Sequence, residues 1–240
     1  MKVCVYAICK NESQFVDRFM DSMSEADYVC VLDTGSSDDT VKKLRARGAI
    51  VGETVVSPWR FDTARNESLG LIPADADICC AIDLDEQFHP GWRAALERAW
   101  QPDTTRARYR YTWSFRPDGS EGMVFWADKI HKNGCYRWAS PVHETLAYTG
   151  EGAERFVDAA GVQLDHHPDE TKSRGQYLPL LELAVREDPQ NDRNCHYLGR
   201  EYMFHQMWGK AIETLMRHLA MPSATWKLSL IHISEPTRPR

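Results

Sequence analysis

The stretch that decides the fold is Ala81-Ile82-Asp83-Leu84-Asp85-Glu86, the end of an apolar run that begins at Ile78. On extended backbone, alternate residues share a side. Asp83 and Asp85 are therefore expected to point the same way off the end of a buried strand. Two carboxylates brought together repel unless positive charge lies between them. A hard divalent cation meets that need, because it takes oxygen ligands and shares them with phosphate. The segment predicts a metal-bound, phosphorylated ligand.

Upstream of this strand the chain alternates between short apolar runs and helical spacing. Strands are expected at Val3–Ile8, Tyr28–Leu32, Ile50–Val56 and Asp77–Asp83. Helices are expected at about Glu12–Met23, Thr40–Arg47, Asp62–Leu69 and Gly91–Trp100, the last just after Pro90. Gly35-Ser36-Ser37-Asp38 supplies a turn and cap candidates for the second helix. Such alternation implies right-handed βαβ units and a mainly parallel sheet. Ligands of these sheets lie beyond the carboxyl ends of the strands. Asp33 and the Asp83/Asp85 pair both fall there.

The pattern changes after Pro102. Arg106 to Arg116 places Tyr109, Tyr111, Trp113 and Phe115 on one face and Arg106, Arg108, Arg110 and Arg116 on the other. After a turn at Pro117-Asp118-Gly119, Met123–Ile130 returns as the second strand of a hairpin. Two readings fit: an aromatic core face with solvated arginines outside, or a wall facing an acceptor, since aromatic and Arg side chains suit sugars, phosphates or stacked bases. His166-His167 is read mainly as a strand-end feature, because neighbouring histidines in a strand diverge; one of them could line the acceptor site.

From about Thr171 the chain turns helical. Expected helices cover Lys172–Glu187, Asp192–Phe204 and Gly209–Leu219. The last two resemble one tetratricopeptide repeat, with Leu198, Gly199, Tyr202, Ala211, Leu215 and Pro222 in place, but Cys195 where the repeat has tryptophan. One repeat cannot form a solenoid, so it leans on the main domain or begins a longer array. Leu228 to Arg238 reads like a translated sequencing adaptor, and the natural gene is expected to continue past about Lys227. The expected division is 1–170 as the main domain, 171–226 as a helical annex and 227–240 as a tail.

The net charge of −6 over 240 residues argues against wholesale nucleic-acid binding. No apolar run approaches a membrane span. Met1 leads straight into a strand-like segment, which predicts a cytoplasmic protein without a signal peptide. Cys4, Cys9, Cys30, Cys79 and Cys80 lie in strand-like runs and read as small core residues in a reducing environment.

Several blocks now stand in order: Val5-Tyr6-Ala7-Ile8-Cys9-Lys10-Asn11-Glu12, Val31 to Thr40 with Asp33-Thr34-Gly35-Ser36, and Asp83-Leu84-Asp85. They resemble the family 2 glycosyltransferases of the GT-A fold. Trp59 to Asn66 and Ser140-Pro141-Val142-His143-Glu144-Thr145-Leu146 resemble further blocks of the branch that carries tetratricopeptide-like helices.

The resemblance implies a Rossmann-like, mainly parallel α/β sheet with an antiparallel hairpin extension and a small helical annex. It implies transfer from a nucleoside diphosphate sugar, with UDP-glucose, UDP-galactose and UDP-N-acetylglucosamine as the default donors. Asp33 would accept from a base N–H or ribose hydroxyl. Asp83 would face the ribose or a metal-bound water. Lys10, Asn11, Glu12 and Arg65 complete the nucleotide set, with Arg65 and Lys10 holding the diphosphate or orienting Asp33. The metal, Mn²⁺ or Mg²⁺, would be held by Asp85 and His143, with Asp83 beside them. An inverting transfer needs a general base; Glu144 is the candidate, with Glu86, Asp128 and Asp165 as alternatives. The acceptor stays open among polysaccharide, lipid-linked glycan, protein and modified DNA, and the helical annex offers a route to a homo-oligomer. Two other classes compete: a sugar nucleotidyltransferase, which normally has a glycine-rich loop where this chain has Cys9-Lys10-Asn11-Glu12, and a non-catalytic repeat-type binding module.

Overall fold

The computed structural model describes residues 1–169 and 175–224. The expected boundary at 170/171, the start of the first annex helix and the tail 227–240 fall outside these residues. The described chain divides into two compact units. The larger contains Met1–Ala139 and the segment that begins at Glu144. The smaller contains Ser140–His143 with the C-terminal helices.

The larger unit is built on an eight-stranded sheet. Its strands, in chain order, are β1 (Val3–Cys9), β2 (Tyr28–Asp33), β3 (Ile50–Glu53), β4 (Ile78–Ala81), β5 (Glu86–Phe88), β6 (Arg106–Thr112), β7 (Val124–Lys132) and, after a small hairpin, β10 (Phe156–His166). They lie in the order β3-β2-β1-β4-β7-β6-β10-β5. The first four strands are parallel neighbours. β7 then runs antiparallel to both β4 and β6, β10 parallel to β6, and β5 antiparallel to β10. The arrangement is a mixed α/β sheet consistent with the GT-A fold. Its parallel half is the part that the strand–helix alternation foretold.

β1 is buried at every position, as a central strand covered on both faces should be. Its alternation divides the core. Val3, Val5, Ala7 and Cys9 join Phe15, Phe19, Leu44, Trp92 and Leu96 on one face. Cys4 and Tyr6 join Cys30, Cys79, Tyr136, Trp138 and Leu146 on the other. That second face is covered by a two-stranded antiparallel sheet, β8 (Tyr136–Ala139) and β9 (Thr145–Tyr148), which the sequence reading did not foresee. A buried relay ties it down: Trp138 donates to the Tyr6 hydroxyl at 3.0 Å, which in turn meets His131 Nε2 at 2.8 Å. Burial lowers the His131 pKa to about 4, so this histidine is a neutral structural group. The five strand cysteines are free and buried.

Four helices cover the sheet: α1 (Val16–Ser22), α2 (Thr40–Ala46), α3 (Phe61–Leu69) and α4 (Trp92–Ala99). Gly91 precedes α4 at φ 85°, where a side chain would be strained. Three expectations need correction. β3 stops at Glu53 rather than Val56; the last rung of its pairing with β2 is the Thr54 N–H to Asp33 carbonyl bond at 2.9 Å. β4 stops at Ala81 rather than Asp83. Arg106 is buried rather than solvated; it pairs with Asp128 and Glu154 and lies over the Tyr136 and Phe156 rings.

The smaller unit holds α5 (Tyr177–Glu187), α6 (Asp192–Phe204) and α7 (Trp208–Ala220). Asn191 caps α6 by accepting from Asn194 N–H at 3.0 Å. Gly199 lets α6 and α7 approach closely, since a Cβ there would sit 2.5 Å from Leu215 Cδ2.

Candidate active site

In the strand order, β2 and β3 lie on one side of β1 and β4 on the other. The crevice beyond the carboxyl ends of β1 and β4 is therefore the topological switch point where ligands of such sheets bind. The loops that leave β1, β2 and β4 line it.

The first two loops are stitched together. Asn11 takes a left-handed conformation, φ 54°. Its N–H donates to Ser36 Oγ at 2.8 Å and its Oδ1 accepts from Ser37 N–H at 2.7 Å. Glu12 N–H donates to Thr40 Oγ1 at 2.8 Å. Lys10 is exposed beside them. Asp33 is buried, and both its oxygens serve the turn that follows. Oδ1 accepts from Gly35 N–H at 2.9 Å and Ser36 N–H at 2.8 Å. Oδ2 accepts from the Ser36 hydroxyl and from the Cys9 thiol.

The third loop does not have the geometry expected of it. Asp83 lies just past β4, and Leu84-Asp85 form a turn closed by Glu86 N–H to the Asp83 carbonyl at 3.0 Å. The two carboxylates are thus not alternate residues of one strand, and each has its own partner. Asp83 Oδ1 accepts from Arg65 Nη2 at 2.7 Å, and Lys129 Nζ lies 3.6 Å from Oδ2. Asp85 Oδ2 lies 3.4 Å from His166 Nε2.

Arg65 sits on the buried face of α3 with Asp62, Ala64 and Ser68. It is 4 % exposed. Its Nε donates to Glu144 Oε1 at 2.7 Å, and its guanidinium lies over the Trp138 ring, 5.1 Å from the centroid. Desolvating a guanidinium costs several kcal/mol, which two carboxylates and an aromatic face can offset. Burial opposes the charge, yet Asp83 and Glu144 hold the Arg65 pKa above its ordinary value. Burial likewise opposes ionisation of Asp83, but Arg65 and then Lys129 keep its carboxyl well below the usual range. Arg65 was expected to hold a diphosphate or orient Asp33; here its bonds go to Asp83 and Glu144. One donor, Nη1, is buried and unmatched.

Glu86 anchors the turn from below. It is 2 % exposed. Its Oε2 accepts from Asp83 N–H at 2.9 Å and its Oε1 from the Tyr111 hydroxyl at 2.7 Å. Burial, joined by the charge of Asp83, raises its pKa against the pull of Lys129.

His166, read from the sequence mainly as a strand-end feature, lies beside Asp85. The β10–β5 register places it opposite Glu86, and the next residue, His167, donates its N–H to the Asp85 carbonyl at 2.8 Å. The ring stacks on Trp113 with centroids 4.5 Å apart. Its Nδ1 lies 3.1 Å from the Trp113 carbonyl. A carbonyl only accepts, so Nδ1 carries the proton and Nε2 faces Asp85. That orientation is the one a metal-bound histidine adopts when a backbone carbonyl fixes its other nitrogen. Burial works against protonation, but the bond to Asp85 raises the pKa.

His143 belongs to the smaller unit. It is left-handed at φ 50°, its ring stacks on Tyr197 at 4.2 Å, and its carbonyl accepts from Arg193 Nη1 at 2.6 Å. Glu144 belongs to the larger unit through Arg65. The loop between β8 and β9 thus presents these neighbours to different surroundings.

The donor set at Asp85 and His166 fits a divalent cation. One carboxylate oxygen and one imidazole nitrogen suit Mn²⁺, and Mg²⁺ or Mn²⁺ sites of this kind complete their shell with phosphate oxygens and water. Among the described residues, no group of three or more His, Cys, Asp or Glu side chains is arranged to hold a metal ion. No helix of the described residues is long and apolar enough to cross a membrane.

No family model matches the chain. Among solved structures, it is similar to glucosyl-3-phosphoglycerate synthase from Mycobacterium tuberculosis in complex with Mn²⁺ and UDP-glucose, at 26 % identity over 46 % of this chain and 43 % of that one, with a TM-score of 0.39. The same synthase with Mn²⁺, UDP and glucosyl-3-phosphoglycerate matches at 24 % identity over 46 % of this chain and 44 % of that one, TM-score 0.37. A mycobacterial protein matches over 75 % of this chain and 70 % of that one at 15 % identity, TM-score 0.48. The chain thus spans less than half the length of the synthase structures it matches.

Proposed function

We propose that this protein is a metal-dependent glycosyltransferase of the GT-A family 2 type, taking its sugar from a nucleoside diphosphate carrier such as UDP-glucose. One observation carries the reading: at the switch point of the sheet, Asp85 and a histidine oriented by a backbone carbonyl face each other at 3.4 Å, beside Asp83 locked onto a buried arginine.

Asp85 and His166 would hold Mn²⁺ or Mg²⁺, with His143 of the sequence-derived set as the competing ligand. When bound, the cation neutralises charge on the departing diphosphate. Asp83, fixed by Arg65 and Lys129, would face the ribose or a metal-bound water. Asp33 takes a ribose hydroxyl or base N–H in exchange for its bond to the Ser36 hydroxyl or the weaker one to the Cys9 thiol. Lys10, Asn11 and Glu12 border the same nucleotide crevice. Glu144 serves as general base for an inverting transfer, positioned through Arg65. The helix pair α6–α7 supplies the repeat-like annex, for which the close packing of Gly199 on Leu215 is the support.

The test is to incubate the full chain with Mn²⁺ and each of UDP-glucose, UDP-galactose and UDP-N-acetylglucosamine, following UDP release and heat of binding. One donor should bind and hydrolyse slowly. EDTA should abolish this, and Asp85→Asn should cut it by about tenfold or more. Consumption of nucleoside triphosphate with sugar phosphate would instead identify a nucleotidyltransferase, and inertness towards all donors a binding module.

A further inference from the structure

His166 joins the site to a surface that the donor reading leaves unused. Its ring centroid lies 4.5 Å from that of Trp113 and 6.2 Å from that of Tyr111, and the Tyr111 centroid lies 5.1 Å from that of Phe125. Tyr111 and Phe125 are paired across β6 and β7, so these rings share one face of the sheet. Tyr111 is buried, but Trp113 is 46 % and Phe125 43 % exposed. The rings therefore form a continuous shelf that emerges from the core and ends at the Asp85–His166 pair.

We propose that this shelf is the acceptor subsite and that the acceptor is a saccharide stacked on Trp113 and Phe125. The inference rests on the glycosyltransferase reading and names its acceptor class. Sugar rings have an apolar face of C–H groups, which packs on aromatic planes, and an equatorial rim of hydroxyls that needs polar partners. The shelf offers the aromatic planes, and it ends beside the Asp85–His166 pair, so a sugar stacked on it would lie next to the cation that those two residues would hold.

Two other occupants fit less well. A membrane would take the hairpin end first. Phe115 and Met123 are exposed there, but the turn between them is polar: Asp118 caps it by accepting from Ser120, and Glu121 bonds Arg110 and Thr112. Burying these charges in lipid is costly. A nucleic acid would meet a chain of net charge −6 without the basic footprint that phosphate binding requires.

The experiment uses the full chain on an array of defined oligosaccharides, with parallel titration of UDP plus Mn²⁺ and sedimentation with phosphatidylcholine/phosphatidylglycerol vesicles. At least one oligosaccharide should bind. Trp113→Ala and Phe125→Ser should each weaken it by about tenfold or more, the scale of a lost stacking ring. Phe156→Ser, an exposed aromatic outside the shelf, should leave it within about twofold. If UDP binds but no oligosaccharide does, or if the shelf variants bind sugar as the parent does, the acceptor inference is overturned while the donor reading stands. Vesicle binding lost in Phe125→Ser also overturns it, in favour of a lipid surface. If UDP fails to bind, the donor reading fails whatever the sugars do.

Discussion

Two turns on one edge of the sheet each follow a strand with an aspartate, and they satisfy that aspartate in opposite ways. After β2, Asp33 is consumed locally: its oxygens accept from Gly35, Ser36 and Cys9, the last from the adjacent strand. After β4, Asp83 is satisfied by side chains from distant elements, Arg65 on α3 and Lys129 on β7. The first turn is a short-range device that any chain with the right residues can fold. The second exists only when the sheet and α3 are assembled. A locally capped acid is rigid at little cost, whereas a cross-element cluster couples the crevice at the strand ends to the packing of the whole unit.

The largest effect is expected at Arg65. Arg65→Met removes the cation from two carboxylates at once. It should destabilise the protein by about 3–5 kcal/mol, the cost of leaving a buried ion pair half-made. Urea unfolding measures this, and a loss below about 1 kcal/mol would show that the cluster is not the cross-element link described. Asp33→Ala should cost less, about 1–3 kcal/mol, the range for leaving buried donors unmet. Asp33→Asn keeps one acceptor oxygen and should recover part of that. If Asp33→Ala costs as much as Arg65→Met, the contrast between the turns fails.

A smaller effect sharpens the picture through pH. Asp38 accepts from Thr40 N–H at 3.0 Å, from the Thr40 hydroxyl and from Ser13 N–H at 3.1 Å. Partial burial opposes ionisation, but the bonds from Thr40 and Ser13 win and bring its pKa to about 2. The folded value lies below the unfolded one, so its contribution is present above about pH 4 and is lost as pH falls towards 2. Because the group is largely exposed, the contribution should stay under about 1 kcal/mol. Comparing parent and Asp38→Asn unfolding at pH 5 and pH 2 should show a gap at the first pH that closes at the second.

The parallel half of the sheet was legible because it is written locally. Apolar runs of strand length, helical spacing and turn residues recur from Val3 to Trp100; β1, β2 and α2 to α4 follow them closely, whereas α1 begins at Val16 rather than Glu12 and β4 ends at Ala81 rather than Asp83. The β6–β7 hairpin was legible from its aromatic alternation, but the fate of Arg106 was not: its burial depends on Asp128 and Glu154, which reach it through pairing the sequence does not spell out. The site followed the same rule. Asp33, Asp83, Asp85, Arg65 and Glu144 stood out by residue type in ordered blocks. The turn at Leu84-Asp85 overrode the strand alternation assumed for the acids. Lys129 escaped notice, and His166 was not placed beside Asp85, because β7 and β10 bring them in from the mixed half, where order is set by tertiary packing. The adjacent histidines were the one available signal, and treating them as a strand end missed that β10 pairs with the strand following Asp85.

The most direct measurement is Mn²⁺ electron paramagnetic resonance with a matched calorimetric titration of UDP, on the parent and on His166→Ala, Asp85→Asn and His143→Ala. The account predicts that the first two variants each weaken Mn²⁺-dependent UDP binding by about tenfold or more, while His143→Ala behaves as the parent does. Undiminished binding in His166→Ala, with the loss confined to His143→Ala, would contradict it.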